Sequence, residues 1–367
     1  NQAKRMEKRT PGAPRRGCQP KSIPVEHRHR VKAPPQSGKV AGGAADNNAG
    51  EFDFQTARLL VQSPKAKIMK RMLFWALTTV LALGAWAQTN VVFHRTEDVI
   101  YGRKFGTALT LDVFQPANTN GVGIILMVSG GWFSAHESIN PAFFRPLLNR
   151  GYTVFAVVHG SQPRFVISEI EQDIHRAVRF IRHHAARYGV DPGKLGIMGG
   201  SAGGHLSLMM ATKGGPGKPD AKDAVDRETS AVQCVACFFP PTDFLNYSQP
   251  GEDAVGVGTL EAFKPAFGPR ADSAEERQKL GREISPIYFV HSNMPPVLIV
   301  HGDADKLVPI YQARQFVKRC EEFGAKARLV VREGKVHGWP DMGKDLELFA
   351  DWFDEHLRGL PSRPAGS

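Results

Sequence analysis

One serine, Ser201, lies among five glycines within residues 195–205, LGIMGGSAGGH. Glycine inside a regular element costs about 0.5–1 kcal/mol relative to alanine, so such a cluster indicates a backbone geometry that larger residues would not allow. A strand that turns sharply into a helix, with a serine at its apex, requires small neighbours, and the spacing Gly199-x-Ser201-x-Gly203 fits that turn. The alternative interpretation is a flexible glycine-serine loop.

Reactive or backbone-exposing residues follow three other apolar runs that are typical of buried strands. Asp305 and His337 each follow such a run, and so does the stretch 129–132, SGGW. Ligand and catalytic sites in open α/β sheets lie at the carboxyl ends of strands, so these residues are expected to meet Ser201. The chain order serine, aspartate, histidine is one of the known orders of a catalytic triad.

These residue types support acyl transfer through a serine nucleophile. A serine hydroxyl is a poor nucleophile until a neighbouring base takes its proton. We predict that His337 takes the proton of Ser201 and later protonates the leaving group. We predict that Asp305 orients the imidazole and stabilises its cationic form without itself taking the proton.

Backbone N–H groups are the predicted donors to the oxyanion of the tetrahedral intermediate. Loss of one such donor typically costs about 2.7–4 kcal/mol of transition-state stabilisation. We assign this role to the N–H of Ala202, next to the nucleophile, and to those of Gly131 and Trp132. Gly130 and Gly131 would let the chain approach the substrate closely.

Other residues could take some of these roles. Asp303, two residues before Asp305, is an alternative orienting acid. The alternative bases, neither of which follows the last predicted strand, are His291 and His301. His205, one helical turn beyond the serine, is expected to pack or cap rather than to catalyse, whereas His159 is a candidate for lining the substrate pocket.

The body of the chain alternates apolar runs with amphipathic patterns. Strands are predicted at residues 98–101, 108–114, 122–128, 152–158, 195–198, 231–239, 296–300 and 327–331. Apolar residues recur every three or four positions in 167–188, 313–323 and 346–357, which predicts helices. Glu171, Asp173 and Arg182 fall on the polar side of the first of these helices. The alternation predicts a doubly wound α/β domain of about 280 residues, with a mostly parallel central sheet and helices on both faces.

The long connection 240–295 breaks this alternation. A connection of that length is rarely structureless and is often functional, so we expect a small cap that partly covers the carboxyl edge of the sheet. Phe263 and Phe267, in EAFKPAFGPR, are the best candidates for apolar contact with substrate over the site. Packing within the cap is the alternative role for both.

The positive charge of the chain is confined to its first part. The net charge is +11, but residues 1–68 hold 14 Lys/Arg against 5 Asp/Glu, and from Gln88 onward there are 31 of each sign. A nucleic-acid partner is therefore not expected for the folded body. Residues 1–68 are rich in Pro, Gly and charge and cannot bury enough apolar surface to fold, so we predict that they are disordered.

A secretory signal peptide is predicted at residues 69–87. Met69-Lys70-Arg71 precedes an apolar run that closes with Ala85-Trp86-Ala87, which is the pattern of a signal peptide. The run is shorter than the ~20 residues of a spanning helix, so no stable membrane anchor is expected after cleavage. The mature protein would be 88–367, secreted or periplasmic, and 1–68 would not belong to the natural product. A basic arm ahead of a membrane anchor is the alternative.

Cys234 and Cys237 have the C-x-x-C spacing of a metal or redox pair. They lie in the apolar run 231–239, which is typical of a buried strand. Residues three apart on a strand face opposite sides, so we expect two separate buried thiols. The sequence predicts no structural disulfide, no metal and no cofactor.

From about residue 102 to residue 357 the chain resembles the α/β-hydrolase superfamily, in the carboxylesterase and acetyl esterase branch related to feruloyl and acetylxylan esterases. The motifs that carry the resemblance are SGGW at 129–132, GGSAGGH at 199–205, HGDADKLVP at 301–309 and VHGW at 336–339. In that family the second aspartate of the third motif is the triad acid, which implies Asp305 rather than Asp303. Ser129 stands where the family usually has the histidine of H-G-G, and His159-Gly160-Ser161 stands where it often has Tyr-Arg-Leu.

The resemblance implies a serine carboxylic ester hydrolase that acts on short acyl esters through an acyl-enzyme. For an exported enzyme, acetylated or feruloylated carbohydrate is the expected kind of substrate. A serine peptidase of the prolyl-oligopeptidase type is the alternative enzyme, because it shares this catalytic domain. A hydrolase-fold binding protein without catalysis is a further alternative, although such proteins typically lack a triad member. The oligomeric state is not predicted.

Overall fold

The computed structural model describes residues 92–361. The predicted disordered segment 1–68 and the predicted signal peptide 69–87 lie outside the described residues. Within the described range, no helix is both long enough and apolar enough to cross a membrane.

An eight-stranded sheet forms the centre of the protein. Its strands are β1 (Phe93–Lys104), β2 (Thr107–Pro116), β3 (Gly123–Val128), β4 (Thr153–Val158), β5 (Leu195–Gly200), β6 (Cys234–Phe238), β7 (Val297–Gly302) and β8 (Ala327–Arg332). Their spatial order is β1-β2-β4-β3-β5-β6-β7-β8. The β1–β2 and β2–β4 pairs are antiparallel and all other neighbouring pairs are parallel. The mostly parallel sheet confirms the predicted architecture.

Helices cover both faces of the sheet. The α-helices are α1 (Arg145–Asn149), α2 (Ile167–His183), α3 (Ala202–Lys213), α4 (Ala224–Arg227), α5 (Lys264–Phe267), α6 (Ala274–Ile284), α7 (Tyr311–Glu322) and α8 (Asp345–Arg358). Short 3-10 helices lie at His136–Ser138, Ala185–Tyr188 and Met342–Lys344. Apolar residues of α2, α3 and α7 form one buried core, and those of α1 and α8 form a second. Because both faces are covered, the central strands are apolar without alternation.

Strand β6 contributes to both cores. Val235 and Cys237 belong to the core that contains α3, while Cys234 and Ala236 belong to the core that contains α8. Cys234 and Cys237 therefore face opposite sides of the sheet, as predicted, and both are free thiols. Burial raises the pKa of both thiols, so they remain protonated and inert.

The polar side of α2 is more deeply buried than an amphipathic pattern implies. Glu171, Asp173 and Arg182 are all buried. Lys213 Nζ lies 2.6 Å from Glu171 Oε1, and Lys104 Nζ lies 2.7 Å from Asp173 Oδ1. A buried carboxylate requires such a partner. Both lysines belong to other elements, so the periodicity of the helix alone could not reveal the burial.

The connection 240–295 folds into short helices, which we call the cap. Besides α5 and α6 it contains 3-10 helices at Gly258–Phe263, Pro269–Asp272 and Pro286–Phe289. The Ser273 side chain accepts a hydrogen bond from the Glu276 N–H and so begins α6. The apolar cap residues that join the same core as α3 include Leu260, Ala266, Phe267, Leu280 and Ile284. The cap therefore shares a buried core with α3, and the prediction of a small cap is confirmed.

Candidate active site

Ser201 lies at the turn between β5 and α3. Its φ of 53° is in the left-handed region, where a serine is strained. Its N–H donates to Phe238 O at 3.0 Å, which ties the turn to β6. A Cβ on Gly203 would lie 2.7 Å from Met127 O, and one on Gly199 would lie 2.5 Å from Gly203 O. The glycines therefore meet a steric requirement of a sharp elbow, which excludes the flexible-loop interpretation.

Ser201, His337 and Asp305 form a continuous chain of hydrogen bonds. His337 Nε2 lies 3.0 Å from Ser201 Oγ, and His337 Nδ1 lies 2.7 Å from Asp305 Oδ2. A carboxylate only accepts, so Nδ1 carries the proton and Nε2 is left to accept from the serine hydroxyl. The Asp305 side chain is fully buried, whereas 22% of the His337 side chain is exposed. The imidazole thus has a fixed orientation and an accessible edge.

The buried carboxylate of Asp305 is held in its ionised form. Its Oδ1 accepts the N–H groups of Leu307 and Val308, both at 2.9 Å. Burial acts to raise the pKa of Asp305, but hydrogen bonds from His301, His337 and the Val308 backbone lower it to about 2. Asp305 can therefore stabilise a cationic imidazole without competing for its proton.

The alternative acid and the two alternative bases from the sequence analysis do not contact Ser201. Asp303 is exposed, and its Oδ1 accepts the N–H of Gly334 at 2.7 Å. His301 is fully buried, and its Nε2 donates to Val308 O at 2.8 Å. His291 precedes β7 and lines a cavity of about 270 Å³ at the amino ends of β6 and β7. None of the three is the group that meets Ser201 among the described residues.

The loop after β3 presents two backbone N–H groups. Gly131 and Trp132 have left-handed φ angles of 55° and 60°, and successive N–H groups in such conformations form anion-binding concavities. Gly130 and Phe133 exchange two hydrogen bonds of 2.9 Å, which close the loop. Within residues 92–361, no protein acceptor meets the N–H of Gly131 or Trp132. Ala202 begins α3, where first-turn N–H groups also have no helical partner.

A family model named BD-FAE matches residues 111–320. The chain belongs to the BD-FAE family. The match includes Ser201, Asp305 and the loop at Gly131 and Trp132, and it ends before His337.

Curated relatives of this BD-FAE chain carry the names of ester hydrolases. It is 27% identical over 232 residues to the probable carboxylic ester hydrolase LipM of Mycobacterium tuberculosis, covering 61% of this chain and 51% of LipM. It is 24% identical over 237 residues to the isoprenylcysteine alpha-carbonyl methylesterase ICME of Arabidopsis thaliana, covering 62% and 53%. The chain spans about half the length of the curated relatives it matches.

Solved structures establish the fold class of this BD-FAE chain. A truncated form of a carbohydrate esterase from gut microbiota superimposes with a TM-score of 0.62 at 27% identity, covering 75% of this chain and all (100%) of that one. Esterase Est2 of Thermogutta terrifontis, in a butyrate-bound form, gives a TM-score of 0.57 at 23% identity, covering 75% and 97%. The fold is that of an α/β-hydrolase, as the sequence motifs imply.

The indole of Trp132 in the BD-FAE chain is held by a hydrogen bond to His205. Trp132 Nε1 donates to His205 Nδ1 at 3.1 Å, and His205 Nε2 donates to Ile284 O at 2.7 Å. Burial lowers the pKa of His205 to about 4, so the ring is neutral near pH 7. His205 is a packed structural residue, as predicted, and it joins the loop after β3 to the end of α6 in the cap.

The three predicted pocket residues surround the loop after β3. A Cβ on Gly131 would lie 2.5 Å from Phe263 Cε1, so the half-buried Phe263 ring covers this glycine. Phe267 is buried, and its ring centroid lies 5.4 Å from that of Trp132. His159 is also buried, at 3% exposure. His159 and Phe267 therefore support the site from within instead of lining open space, and Phe263 keeps an exposed surface.

Phe239 is a site residue that the sequence analysis missed. It follows β6 with a φ of 34°, and its ring centroid lies 4.4 Å from that of His337. Its side chain is buried, so it gives one face of the imidazole a fixed apolar contact. Its position at the carboxyl end of a strand next to that of Ser201 was the signal that could have found it.

One cluster among the described residues has the composition of a metal site. Asp98, Asp112 and His136 each place one ligand atom within 4.8 Å of the others. Asp112 is fully buried and accepts from Arg95 Nε at 2.9 Å. Thr110 Oγ1 lies 2.7 Å from His136 Nε2. Because the arginine already balances the buried carboxylate, these contacts account for the cluster without an ion.

Proposed function

We propose that this BD-FAE protein is a serine carboxylic ester hydrolase that acts on short acyl esters. The observation that carries the proposal is the hydrogen-bonded chain from Ser201 through His337 to Asp305, together with N–H groups in the loop after β3 that no protein acceptor of residues 92–361 engages. The names of LipM and of the gut carbohydrate esterase support the reaction class. A fold alone does not fix a function, so the proposal rests on the site.

Acylation begins when Ser201 Oγ attacks the carbonyl carbon of the ester. His337 Nε2 takes the hydroxyl proton as the new C–O bond forms, and the carbonyl π electrons move onto the oxygen. Asp305, ionised because its pKa is about 2, stabilises the resulting imidazolium. The tetrahedral intermediate then collapses, the bond to the alcohol oxygen breaks, and that oxygen leaves with the proton from His337.

Deacylation repeats these steps with water as the nucleophile. His337 takes one proton from water while the hydroxyl oxygen bonds to the acyl carbon. Collapse of the second intermediate breaks the bond to Ser201 Oγ, which recovers its proton from His337 and releases the carboxylic acid.

The oxyanion of each intermediate accepts hydrogen bonds from Gly131, Trp132 and Ala202. The Ala202 N–H lies at the start of α3, where the helix dipole also favours negative charge. These donors are neutral and fixed before the reaction starts, so they stabilise developing charge without reorganisation.

We further propose acetylated or feruloylated carbohydrate as the substrate, and the secreted or periplasmic space as the location. The name of the gut carbohydrate esterase supports the substrate, and the predicted signal peptide at 69–87 supports the location. Sequencing the amino terminus of exported protein tests the location, and a mature end far from Gln88 would contradict it. Release of acetate or ferulate from esterified oligosaccharides tests the substrate.

A fluorophosphonate probe tests the reaction class. We expect it to label the protein once, at Ser201, and to abolish esterase activity in proportion to labelling. Ser201→Ala should lose both labelling and turnover with little change in thermal stability, because the hydroxyl serves chemistry more than packing. Ser207→Ala, which removes a buried hydroxyl within α3, is the matched control and should keep both. Labelling at another residue, or full activity in Ser201→Ala, would contradict the proposal.

A serine peptidase is the second candidate function. The chain is also 23% identical over 285 residues to the uncharacterized peptidase YuxL of Bacillus subtilis, covering 71% of this chain and 39% of that protein. A panel of acyl esters of graded length, measured beside aminoacyl amides, separates the two activities. Faster amide hydrolysis would reverse our ranking. A silent hydrolase-fold binding protein would neither accept the probe nor turn over either substrate.

A further inference from the structure

A hydrogen bond to the carbonyl oxygen of a peptide also fixes the direction of the N–H group of that peptide. In a trans peptide the C=O and N–H bonds point in opposite directions. Gly130 O, in the peptide that carries the Gly131 N–H, accepts from the Phe133 N–H at 2.9 Å. Gly131 O, in the peptide that carries the Trp132 N–H, accepts from Gln162 Nε2 at 3.3 Å. The peptide that carries each of the two proposed oxyanion donors is thus oriented by a hydrogen bond to its carbonyl oxygen.

Residues 159–162, His159-Gly160-Ser161-Gln162, make several such contacts, and we call them the clamp. Besides the side-chain bond, the Gln162 N–H donates to Trp132 O at 3.2 Å. The Ser161 hydroxyl accepts from the Ser134 N–H at 2.6 Å and donates to Ser134 O at 2.7 Å. The clamp therefore bonds to the middle of the loop after β3, at Gly131 and Trp132, and to its carboxyl end, at Ser134.

His159 bonds to Ser129, at the amino end of the loop after β3. Its Nδ1 lies 2.7 Å from Gly160 O, which only accepts, so Nδ1 carries the proton. Nε2 is then the acceptor for the Ser129 hydroxyl at 2.8 Å. Burial lowers the pKa of His159 to about 4, so the ring keeps this acceptor near neutral pH.

The clamp is itself anchored to α2. The Gly160 N–H donates to Asp173 Oδ2 at 3.0 Å, and the same carboxylate is paired with Lys104. A buried ion pair of this kind is costly to break, because it leaves an uncompensated charge. The anchor thus connects the β4–α2 turn to the body of the protein.

We propose that the clamp positions the oxyanion donors, and that Gln162 is the positioning residue for the Trp132 N–H. The inference rests on the proposed function, because it assigns a role in the same reaction. In this role Gln162 acts through the Gly131–Trp132 peptide and not on the reacting atoms. It holds the Gly131–Trp132 peptide with its carbonyl toward the clamp and its N–H away from it.

Two substitutions at Gln162 test this role. Gln162→Glu keeps the shape but replaces the donor with an acceptor facing Gly131 O, and Gln162→Met removes the donor without adding charge. Removal of an oxyanion donor costs roughly 100- to 1,000-fold in kcat. Because misdirection removes only part of that stabilisation, we expect kcat to fall roughly 10- to 100-fold, with KM changed less than about 2-fold.

Gln115→Met is the matched control. Gln115 Nε2 also donates to a backbone carbonyl, that of Tyr188, at 3.1 Å. Gln115 lies on β2, outside the site. The substitution deletes the same kind of bond, so it should lower thermal stability to a similar degree and leave kcat unchanged.

The decisive readout is the ratio of kcat/KM for an acetate oxoester to that for the matching thionoester. Sulfur accepts hydrogen bonds poorly, so an enzyme that relies on oxyanion donors prefers the oxoester strongly. A variant with a misdirected donor should lose part of this preference, which a general loss of stability would not change. We expect a lower ratio in both Gln162 variants and the wild-type ratio in Gln115→Met.

Each outcome is informative. If folded Gln162→Met keeps the wild-type kcat and the wild-type ratio, the positioning role is wrong while the proposed function stands. If kcat falls with an unchanged ratio, the role is also wrong. If neither Gln162 variant folds, Ser129→Ala, which removes the hydroxyl that binds His159, takes their place with the same expected change in the ratio. If the wild type hydrolyses neither ester and resists the fluorophosphonate, the proposed function fails first.

Discussion

The two halves of the site are built from different kinds of groups. The half that contains Ser201, His337 and Asp305 consists of ionisable or polar side chains, each at the end of its own strand. The half that contains the loop after β3 presents backbone N–H groups, supported by two buried histidines, His159 and His205, whose pKa values are lowered to about 4 by burial. In the proposed mechanism the proton moves between titratable groups, whereas negative charge develops against fixed neutral dipoles.

Asp305→Asn should have the largest effect on the first half. The amide would leave His337 in the wrong tautomer, and turnover should fall by up to about four orders of magnitude while the fold is kept. Steady-state kinetics with a short acyl ester measures the loss. Asp303→Asn is the matched control, since Asp303 accepts only the Gly334 N–H among the described contacts. A larger loss in Asp303→Asn would overturn the assignment of the acid.

Gly203→Val tests the close contact between α3, which follows Ser201, and β3, which precedes the loop of the second half. A Cβ at this position would lie 2.7 Å from Met127 O, in β3. Since backbone cannot yield as a side-chain tip can, we expect a loss of more than about 4 kcal/mol of stability or failure to fold. Thermal unfolding by circular dichroism measures it. Gly215→Val, whose Cβ would lie 3.9 Å from its nearest neighbour, Lys213 O, should be tolerated much better.

His159 and His205 should affect stability in a different pH range from Asp305. For His159 and His205 the unfolded pKa is about 6.5 and the folded values are about 4, so the unfolded chain binds more protons between these pH values. The free energy of unfolding should therefore fall as pH drops from 6.5 to 4, by at most about 1.4 kcal/mol per pH unit for each group. Asp305 has the opposite charge type: its contribution is present above about 3.9 and is lost toward pH 2.

Urea denaturation at a series of pH values measures these slopes. His205→Gln keeps a donor and an acceptor but cannot titrate, so its slope between pH 6.5 and 4 should be smaller than that of the wild type. His94→Gln, at an exposed position on β1, is the matched control for replacing a histidine by glutamine. Equal slopes in all three proteins would show that buried histidines do not distinguish the two halves.

Phe263 and Phe267 give the smallest expected effect and test where substrate contacts end. Phe263→Ala should change the ratio of kcat/KM for short and long acyl esters, because one methylene in an apolar pocket is worth roughly 1–3 kcal/mol. Phe267→Ala should lower stability without changing that ratio, because its ring packs on Trp132 and Phe244. An unchanged ratio in folded Phe263→Ala would make both residues purely structural.

The sequence predicts the half that contains Ser201, His337 and Asp305 more completely than the half that contains the loop after β3, for a physical reason. Ser201, Asp305 and His337 are reactive residue types that follow apolar runs, so type and position together predict where they meet. The contacts of Gln162 are with backbone carbonyls, which every residue has, so no spacing in the sequence marks them. His159 and Ser129 each follow a predicted strand, but nothing in the sequence indicates that their side chains are hydrogen-bonded to each other.

The same limit applies to the fold. All eight strands were predicted, because continuous apolar runs between turn residues are distinctive. Helix α3 follows the elbow but has no apolar periodicity, since nearly all its residues are buried. The burial of Glu171 and Asp173 depends on Lys213 and Lys104, which come from elsewhere in the chain. Local pattern predicts elements, and long-range pairing decides how deeply each face is buried.

The hydrogen bonds from Trp132 through His205 to Ile284 have a consequence for local unfolding of the protein. Two hydrogen bonds join the loop after β3 to the last turn of α6, and a neutral buried ring mediates both. An opening of the cap at α6 must therefore release the indole as well, so the two segments are expected to exchange amide hydrogens as one cooperative unit. Native-state hydrogen exchange in increasing denaturant should give them a shared opening free energy, and His205→Ala should uncouple them.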